Sequence, residues 1–486
     1  MFQYLKSLVK DSAIYALGNL SAKLVGFILL PFYVDKLSVA EYGMLGALEA
    51  SFQLIVALAG MNLYVAFIRW YSDEEMKGRQ KSTFFTLLSV ISLIAVVVNL
   101  IAFPFSSGIS RLLFDSGDYS RVIRLMLCSA GLELIGTIPA TLCRVQLRPV
   151  QYTRNIIIRL STVLIFTILF LVALGRKLEG IYEAQIIGGI VYNALFIPYI
   201  IKNVVAKFEK KILIKMYIFS LPLFLSSFFG ILLGVADRFS LNFITGLASA
   251  GIYLLGFKLG NIIKTIFVQP VSMAVFPMIF RISEKPNAQD FYARLTTYLT
   301  FGLLLPVIAI SVFGQEAVKI LAIGNSEYWG AYIVIPFIAF GALFGMMKDQ
   351  AIYSLHIVKR TGVIATVVIF VSLLNIGLNI LLISFFGAIG AGLATLLSQI
   401  VYFGITLRYA QRYYPVPYEY RKLFISIGLG ALICFFAFII RDWSLTWRLC
   451  IKSLLLTCYP LILYFMKFFD AEELQALRKF WQERGF

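Results

Sequence analysis

A single histidine, His356, and five cysteines with no CxxC spacing leave little from which to build a metal centre or a disulfide framework. No Gly-x-x-x-x-Gly-Lys-Ser/Thr run occurs, which removes the usual phosphate cradle of an ATP-driven machine. No long polar stretch separates the apolar runs, so there is no room for a catalytic domain bearing carboxylates or a metal. Charge is scarce as well. Asp, Glu, Lys and Arg make up 14% of the 486 residues against 60% hydrophobic, and the mean hydropathy is +0.87. That balance leaves too little polar surface for a soluble protein of several domains. The opening stretch MFQYLKSLVKDS lacks the short apolar core and small-residue cleavage site of a signal peptide, so the first apolar run is expected to be retained.

What is abundant is uninterrupted apolar sequence. A membrane-spanning helix needs about 20 mostly apolar residues. Runs of that length predict 14 spans, near 12–34, 41–68, 83–105, 119–143, 151–174, 180–201, 214–236, 247–280, 292–314, 328–354, 362–385, 388–409, 423–440 and 446–466. The runs are too continuous for the alternating strands of a barrel, and helices satisfy every backbone group within hydrocarbon. The expected fold class is an all-α integral membrane protein.

The net charge of +18 would suggest nucleic acid in a soluble chain, but here the placement of the basic residues argues for topology. With the N-terminus in the cytoplasm, 27 of the 43 Lys and Arg fall on inner segments and 11 on outer ones. Lys23, Arg159, Lys258, Lys264 and Lys348 fall inside spans. This positive-inside excess predicts cytoplasmic N- and C-termini and membrane lipids, not nucleic acid, as the partners of the basic surface.

An internal repeat appears at an offset near 210. LEGIYEAQ at 178–185 aligns with AIGAGLAT at 388–395, and IVY at 190–192 with IVY at 400–402. Arg69 falls on Arg281, Arg148 on Lys359, and Asp118-Tyr119 on Glu327-Tyr328; Asp35-Lys36 falls on Asp237-Arg238 at 202, which predicts a longer outer loop after the first span of the second half. Six spans per half make the repeats parallel. The expected organisation is a six-helix lobe over 1–201, a cytoplasmic linker at 202–213, a second six-helix lobe over 214–412, an extra helix pair at 413–466 and a cytoplasmic amphipathic tail at 467–486. Leu474, Leu477 and Trp481 share one face of that tail.

Polar residues inside the spans mark the candidate site. A cation near the membrane midplane costs roughly 3 to over 10 kcal/mol, so Lys23, Lys258 and Lys264 are expected to face a bundle interior or wet cavity and to favour an anionic cargo. Asn19 with Lys23, and Lys258 with Asn261 and Thr265, follow helical spacing; Lys264 and Gln269 lie nearby. Glu49 with Gln53 and Glu133 with Thr137 form similar pairs. Glu49 and Glu133 either balance the lysines as internal ion pairs or bind a coupling ion; Asp349 is a local partner for Lys348. Arg159 and Lys348 are read as snorkelling toward the cytoplasmic boundary. Asp35 and Asp237 are read as solvated outward helix ends, and His356 as neither catalytic nor a metal ligand.

GNLSAKLVGFILLPFYVDKLSVAEYGML at 18–45, SLPLFLSSFFGILLGVADRF at 220–239 and the 6+6+2 layout resemble the polysaccharide-transporter branch of the multidrug/oligosaccharidyl-lipid/polysaccharide exporter superfamily. Tyr42-Gly43, Leu221-Pro222 and Asp237-Arg238 anchor the resemblance. It implies two lobes in a V-shaped arrangement, moving a polyprenyl-diphosphate-linked oligosaccharide from the inner to the outer leaflet of the bacterial inner membrane by alternating access. The product would feed O-antigen, capsule or exopolysaccharide assembly, with glycan polymerase machinery as a candidate partner. In that mechanism Lys23, Lys258 and Lys264, with Asn19 and Asn261, hold the diphosphate and glycan. No bond is made, so no enzyme activity and no cofactor are expected, and H+ or Na+ are the candidate coupling ions. The alternatives are an ion-coupled multidrug exporter, whose usually cationic cargo the lysines would repel, and a membrane-embedded glycan polymerase.

Overall fold

The computed structural model of the protein describes residues 2–74, 77–466 and 468. Its first half holds α1 (Phe2–Lys36), α2 (Val39–Gly60), α3 (Leu63–Tyr71), α4 (Gln80–Ala102), α5 (Ser106–Phe114), α6 (Ser120–Val145), α7 (Pro149–Ile168) and α8 (Lys177–Asn203). The second half holds α9 (Lys210–Thr245), α10 (Leu247–Gly260), α11 (Gln269–Ile282), α12 (Ala288–Val312), α13 (Gly314–Leu321), α14 (Ile335–Ile357) and α15 (Thr361–Tyr413). Helices α16 (Tyr420–Ile439) and α17 (Leu445–Phe465) follow. There is no strand among the described residues. The predicted tail helix lies outside them.

Twelve helical stretches among the described residues are long and apolar enough to cross a membrane. One of them, α15, contains two of the 14 predicted spans, because Gly387 breaks it with φ 54° and ψ −130°. Glycine is the residue that adopts such a conformation without a Cβ penalty, and it falls between the predicted ends at 385 and 388. The first predicted span lies in α1. The all-α membrane fold expected from hydropathy is therefore observed.

Two compact units are present. One comprises Met1–Leu254, Leu321–Tyr328 and Val368–Ala391; the other comprises Leu255–Ile320, Trp329–Val367 and Gly392–Phe486. In the first unit, Phe67, Phe84, Leu134, Phe196 and Met216 of α3, α4, α6, α8 and α9 form a buried apolar core. The first helix of the second repeat thus belongs to this unit. Asn62 Nδ2 on the α2–α3 break donates to Leu223 O at 3.2 Å and Ser227 Oγ at 2.7 Å, and Ser372 Oγ donates to Phe229 O at 2.6 Å. In the second unit, Leu304, Val307, Leu343, Met346, Ile433 and Tyr459 join α12, α14, α16 and α17.

Local structure repeats along with the sequence. Short helices α5 and α13 occupy matching places after the third span of each half. The second span of each half is interrupted: Met61 and Asn62 adopt positive φ between α2 and α3, and a π-helical turn, Ile263–Val268, separates α10 from α11. The longer outer loop expected after the seventh span does not form. Instead α9 runs on past Asp237 to Thr245, and only Gly246 separates it from α10. The extra residues propagate an existing helix, which adds one backbone bond per residue and leaves no unpaired loop backbone.

Within the first unit, repeat-related glycines meet. A Cβ on Gly43 would collide with the Leu247 carbonyl, and one on Gly251 with the Val39 carbonyl. Val39 and Gly43 lie 208 residues before Leu247 and Gly251, so each helix start packs on its repeat counterpart. Small residues that let backbones approach are a main source of helix affinity in lipid. Gly251→Ala is expected to destabilise the protein by about 1–3 kcal/mol through overpacking, the reverse of the usual helix preference for alanine over glycine. Gly26→Ala, which would meet nothing within 4 Å, is the control. Equal thermal unfolding curves for the two variants would contradict the contact.

Candidate functional site

In the first unit, α6, α7 and α8 bring Glu133, Arg159 and Tyr192 together. Arg159 Nη2 donates to Glu133 Oε2, and the guanidinium sits 5.1 Å from the centre of the Tyr192 ring. Thr137 and Thr141 follow Glu133 on the same α6 face; each hydroxyl donates to the carbonyl four residues back, at 2.9 and 2.8 Å. Around this group lies a cavity of about 440 Å³, lined also by Gly18 and Ala22 of α1, Tyr64 of α3, Arg144 of α6 and Tyr152 of α7. Its lining combines two guanidinium forks, one carboxylate, two threonine hydroxyls and three tyrosine rings. Arginine forks match phosphate geometry, and aromatic faces suit the apolar side of a sugar ring.

This arrangement corrects two expectations. Arg159 does not snorkel to the boundary; it is paired with Glu133. Of the other span carboxylates, Glu49 has its Oε2 3.9 Å from Arg238 Nη1. Guanidinium is less strongly hydrated than ammonium, so it tolerates such partly buried pairing better. Asp237 is also not a solvated helix end. It is buried within α9, where its Oδ1 accepts from Arg238 N at 2.9 Å and its Oδ2 accepts from Tyr253 OH. Asp35, its sequence counterpart, is exposed and pairs with Lys36 at 2.9 Å.

The predicted lysines occupy three settings. Lys23 lies on an exposed face of α1, and no described carboxylate forms an ion pair with it. The Asn19 side chain lies outside the described residues. In the second unit, Lys258 and Asn261 are half-buried and Lys264 is exposed within the π-helical turn. Backbone bonds from Asn261 N to Phe257 O at 2.9 Å and from Thr265 N to Asn261 O at 3.1 Å keep the predicted face of Lys258, Asn261 and Thr265. Beyond it the wider turn begins, with Gln269 N bonded to Lys264 O.

Lys348 is held locally rather than extended toward the boundary. Its Nζ lies 2.6 Å from Asp349 Oδ1 and 4.8 Å from the centre of the Tyr402 ring. Tyr192 and Tyr402 are repeat-related at 210. Each half therefore carries a carboxylate, a cation and a tyrosine ring in contact, built with arginine in one and lysine in the other.

One charged cluster in the second unit escaped the sequence reading. Arg448 and Lys452, one turn apart on α17, both reach Glu316 on α13: Arg448 Nε at 2.7 Å, and Lys452 Nζ at 2.9 and 2.8 Å from its two oxygens. Lys452 is 2% exposed and Arg448 6%. The spacing of the two cations was visible, whereas the carboxylate 132 residues earlier was not. Among the described residues no group of three or more His, Cys, Asp or Glu could hold a metal ion.

Comparison with known proteins places this architecture. The model of a family described as polysaccharide biosynthesis protein matches residues 8–283. An uncharacterized membrane protein of Methanocaldococcus jannaschii is 21% identical over 88% of this chain and 89% of its own length. The probable low-salt glycan biosynthesis flippase Agl15 of Haloferax volcanii is 27% identical over 33% of this chain and 34% of its own. Among solved structures, the inward closed conformation of the lipid II flippase MurJ superposes with a TM-score of 0.75 at 15% identity, covering 93% of this chain and 99% of that one. An inward-facing multidrug resistance transporter of the MATE family gives 0.66 at 12% identity, covering 82% and 94%. The chain is a multi-pass membrane protein that shares the fold of these solved transporters, and it belongs to the polysaccharide biosynthesis protein family.

Proposed function

We propose that this transporter moves a polyprenyl-diphosphate-linked oligosaccharide from the inner to the outer leaflet of the bacterial cytoplasmic membrane by alternating access, for O-antigen, capsule or exopolysaccharide assembly. The observation that supports the reading most is the α6–α8 cavity, whose two arginines outnumber its one carboxylate and stand among hydroxyls and tyrosine rings. A net positive, hydrogen-bonding, aromatic lining suits a diphosphate sugar and repels the cationic cargo of a drug exporter. The repeats 1–201 and 214–412 are proposed as the functional lobes and 413–466 as an appended pair, with both termini cytoplasmic. Lys23, Lys258 and Lys264 are proposed to contact the diphosphate during transport, assisted by Asn19 and Asn261. Glu133 and Asp349, each already paired with a cation, fit charge balance better than carriage of H+ or Na+, and the same role is assigned to Glu49. A glycan polymerase acting on the delivered cargo is the proposed downstream partner.

Reconstitution in liposomes with a fluorescent polyprenyl-diphosphate sugar tests this. Loss of one charge-assisted hydrogen bond amounts to about 1.5–3 kcal/mol, so Lys23→Ala, Lys258→Ala and Lys264→Ala are each expected to slow flipping on the order of tenfold or more. Undiminished flipping by all three folded variants would remove the lysines from cargo binding. Wild-type protein that leaves the probe in its original leaflet would overturn the proposed cargo itself.

A further inference from the structure

A second cavity in the first unit lies where α7 begins, at the end of the α7–α8 pair that the basic-residue pattern assigns to the cytoplasm. It has a volume of about 740 Å³, and Arg148, Arg154 and Lys202 converge on it. Among the described residues no carboxylate lines it, and none of these three cations forms an ion pair with a described residue. Three like charges around one concavity repel one another, and an anion between them relieves that repulsion.

The cations are positioned by uncharged neighbours. Arg148 lies 5.3 Å from the centre of the Tyr199 ring, and that ring is fixed by its hydroxyl, which donates to Gln146 Oε1 at 2.8 Å. Gln146 Nε2 in turn donates to Asn203 Oδ1 at 3.0 Å and Tyr71 OH at 2.8 Å. Arg154 donates through Nε and Nη2 to Oδ1 of the fully buried Asn155, at 3.3 and 3.2 Å. Thr153 Oγ1 donates to Ile14 O at 2.8 Å and pins α1 against the same wall. Two guanidinium groups are thus held in place with donor capacity to spare.

We propose that this cavity is a binding site for the phosphate of a membrane lipid, separate from the Glu133–Arg159 cavity. The phosphate has two natural sources, the headgroup of an anionic glycerophospholipid or the diphosphate of a polyprenyl carrier. Both place an anion at the membrane surface with its tail in the bilayer, and a basic residue near such a surface contributes about 1 kcal/mol.

The test uses the full chain in nanodiscs, with retained lipid counted by native mass spectrometry. Phosphatidylglycerol, added in steps to phosphatidylcholine discs, probes the headgroup, and undecaprenyl diphosphate in phosphatidylcholine discs probes the carrier. Inorganic pyrophosphate serves as a soluble competitor. Each of Arg148→Gln, Arg154→Gln and Lys202→Gln is expected to weaken retention of the bound lipid about fivefold, and the triple variant on the order of a hundredfold. Arg148→Lys and Arg154→Lys, which keep the charge, are expected to retain most of it. Whichever probe shows this charge-dependent loss identifies the source. Wild-type retention of both probes in the single variants, all three cations being exposed and replaceable without disturbing the core, would overturn the proposal.

Discussion

Glu316→Ala is expected to destabilise the protein by about 3–5 kcal/mol, because it strands two buried cations. Glu316 is the shared acceptor for Arg448 and Lys452, and Arg448 Nη1 also donates to Arg441 O at 2.8 Å. Gln315 Nε2 donates to the same carbonyl at 3.3 Å. These bonds fasten α17 to α13 within the second unit. Removing one partner of a buried cluster costs far more than removing all of them, so Glu316→Ala combined with Arg448→Met and Lys452→Met should recover much of the loss. Thermal unfolding of the purified variants in detergent is the measurement. A single variant as stable as the wild type would mean that water already solvates the cluster.

Arg159→Ala is expected to reduce flipping at least tenfold, whereas Glu133→Gln is expected to retain it. The two side chains are 25% and 29% exposed, so their pair faces the cavity and the guanidinium can exchange a carboxylate for a phosphate. Glutamine keeps a hydrogen-bond acceptor beside Arg159 but removes the competing charge. If the carboxylate instead carried a coupling ion, Glu133→Gln would abolish the dependence of flipping on an imposed proton or sodium gradient. Transport by wild type and Glu133→Gln, measured with and without each gradient, separates the two roles. Arg159→Lys should lie between them, since it keeps the charge and loses the fork.

The spans were legible because the cost of exposing backbone to hydrocarbon forces long apolar runs, and the turn at Gly387 was legible because a glycine stands between two of them. The interruptions were not. Met61, Asn62 and the residues of the π-helical turn fall inside predicted spans, and local bonding geometry leaves no trace in hydropathy. The short helices α5 and α13 were missed for a related reason. Nine and eight residues are too few to register against the spans that precede them.

At the site, the sequence identified which residue types were out of place but not which would meet. Glu133 and Arg159 are on separate helices, 26 residues apart, and their meeting depends on how α6 and α7 are rotated about their own axes. Hydropathy specifies depth in the membrane and carries little information about that rotation, because lipid-facing and protein-facing positions are similarly apolar. The same ambiguity hid the Asp237–Tyr253 bond and the Glu316 cluster. Lys348 and Asp349 could be paired in advance only because they are adjacent in sequence.

The reciprocal contact of Gly43 on Leu247 and Gly251 on Val39 has the form of an isologous interface, in which one patch supplies both sides. A single six-helix repeat would carry everything needed to make that joint with a second copy of itself. Fusion into one chain frees the two glycines to vary separately, but the geometry still couples them: bulk added at either one pushes on both helix starts. Mirror-image substitutions at the two positions should therefore cost similar stability, as they would in a symmetric dimer.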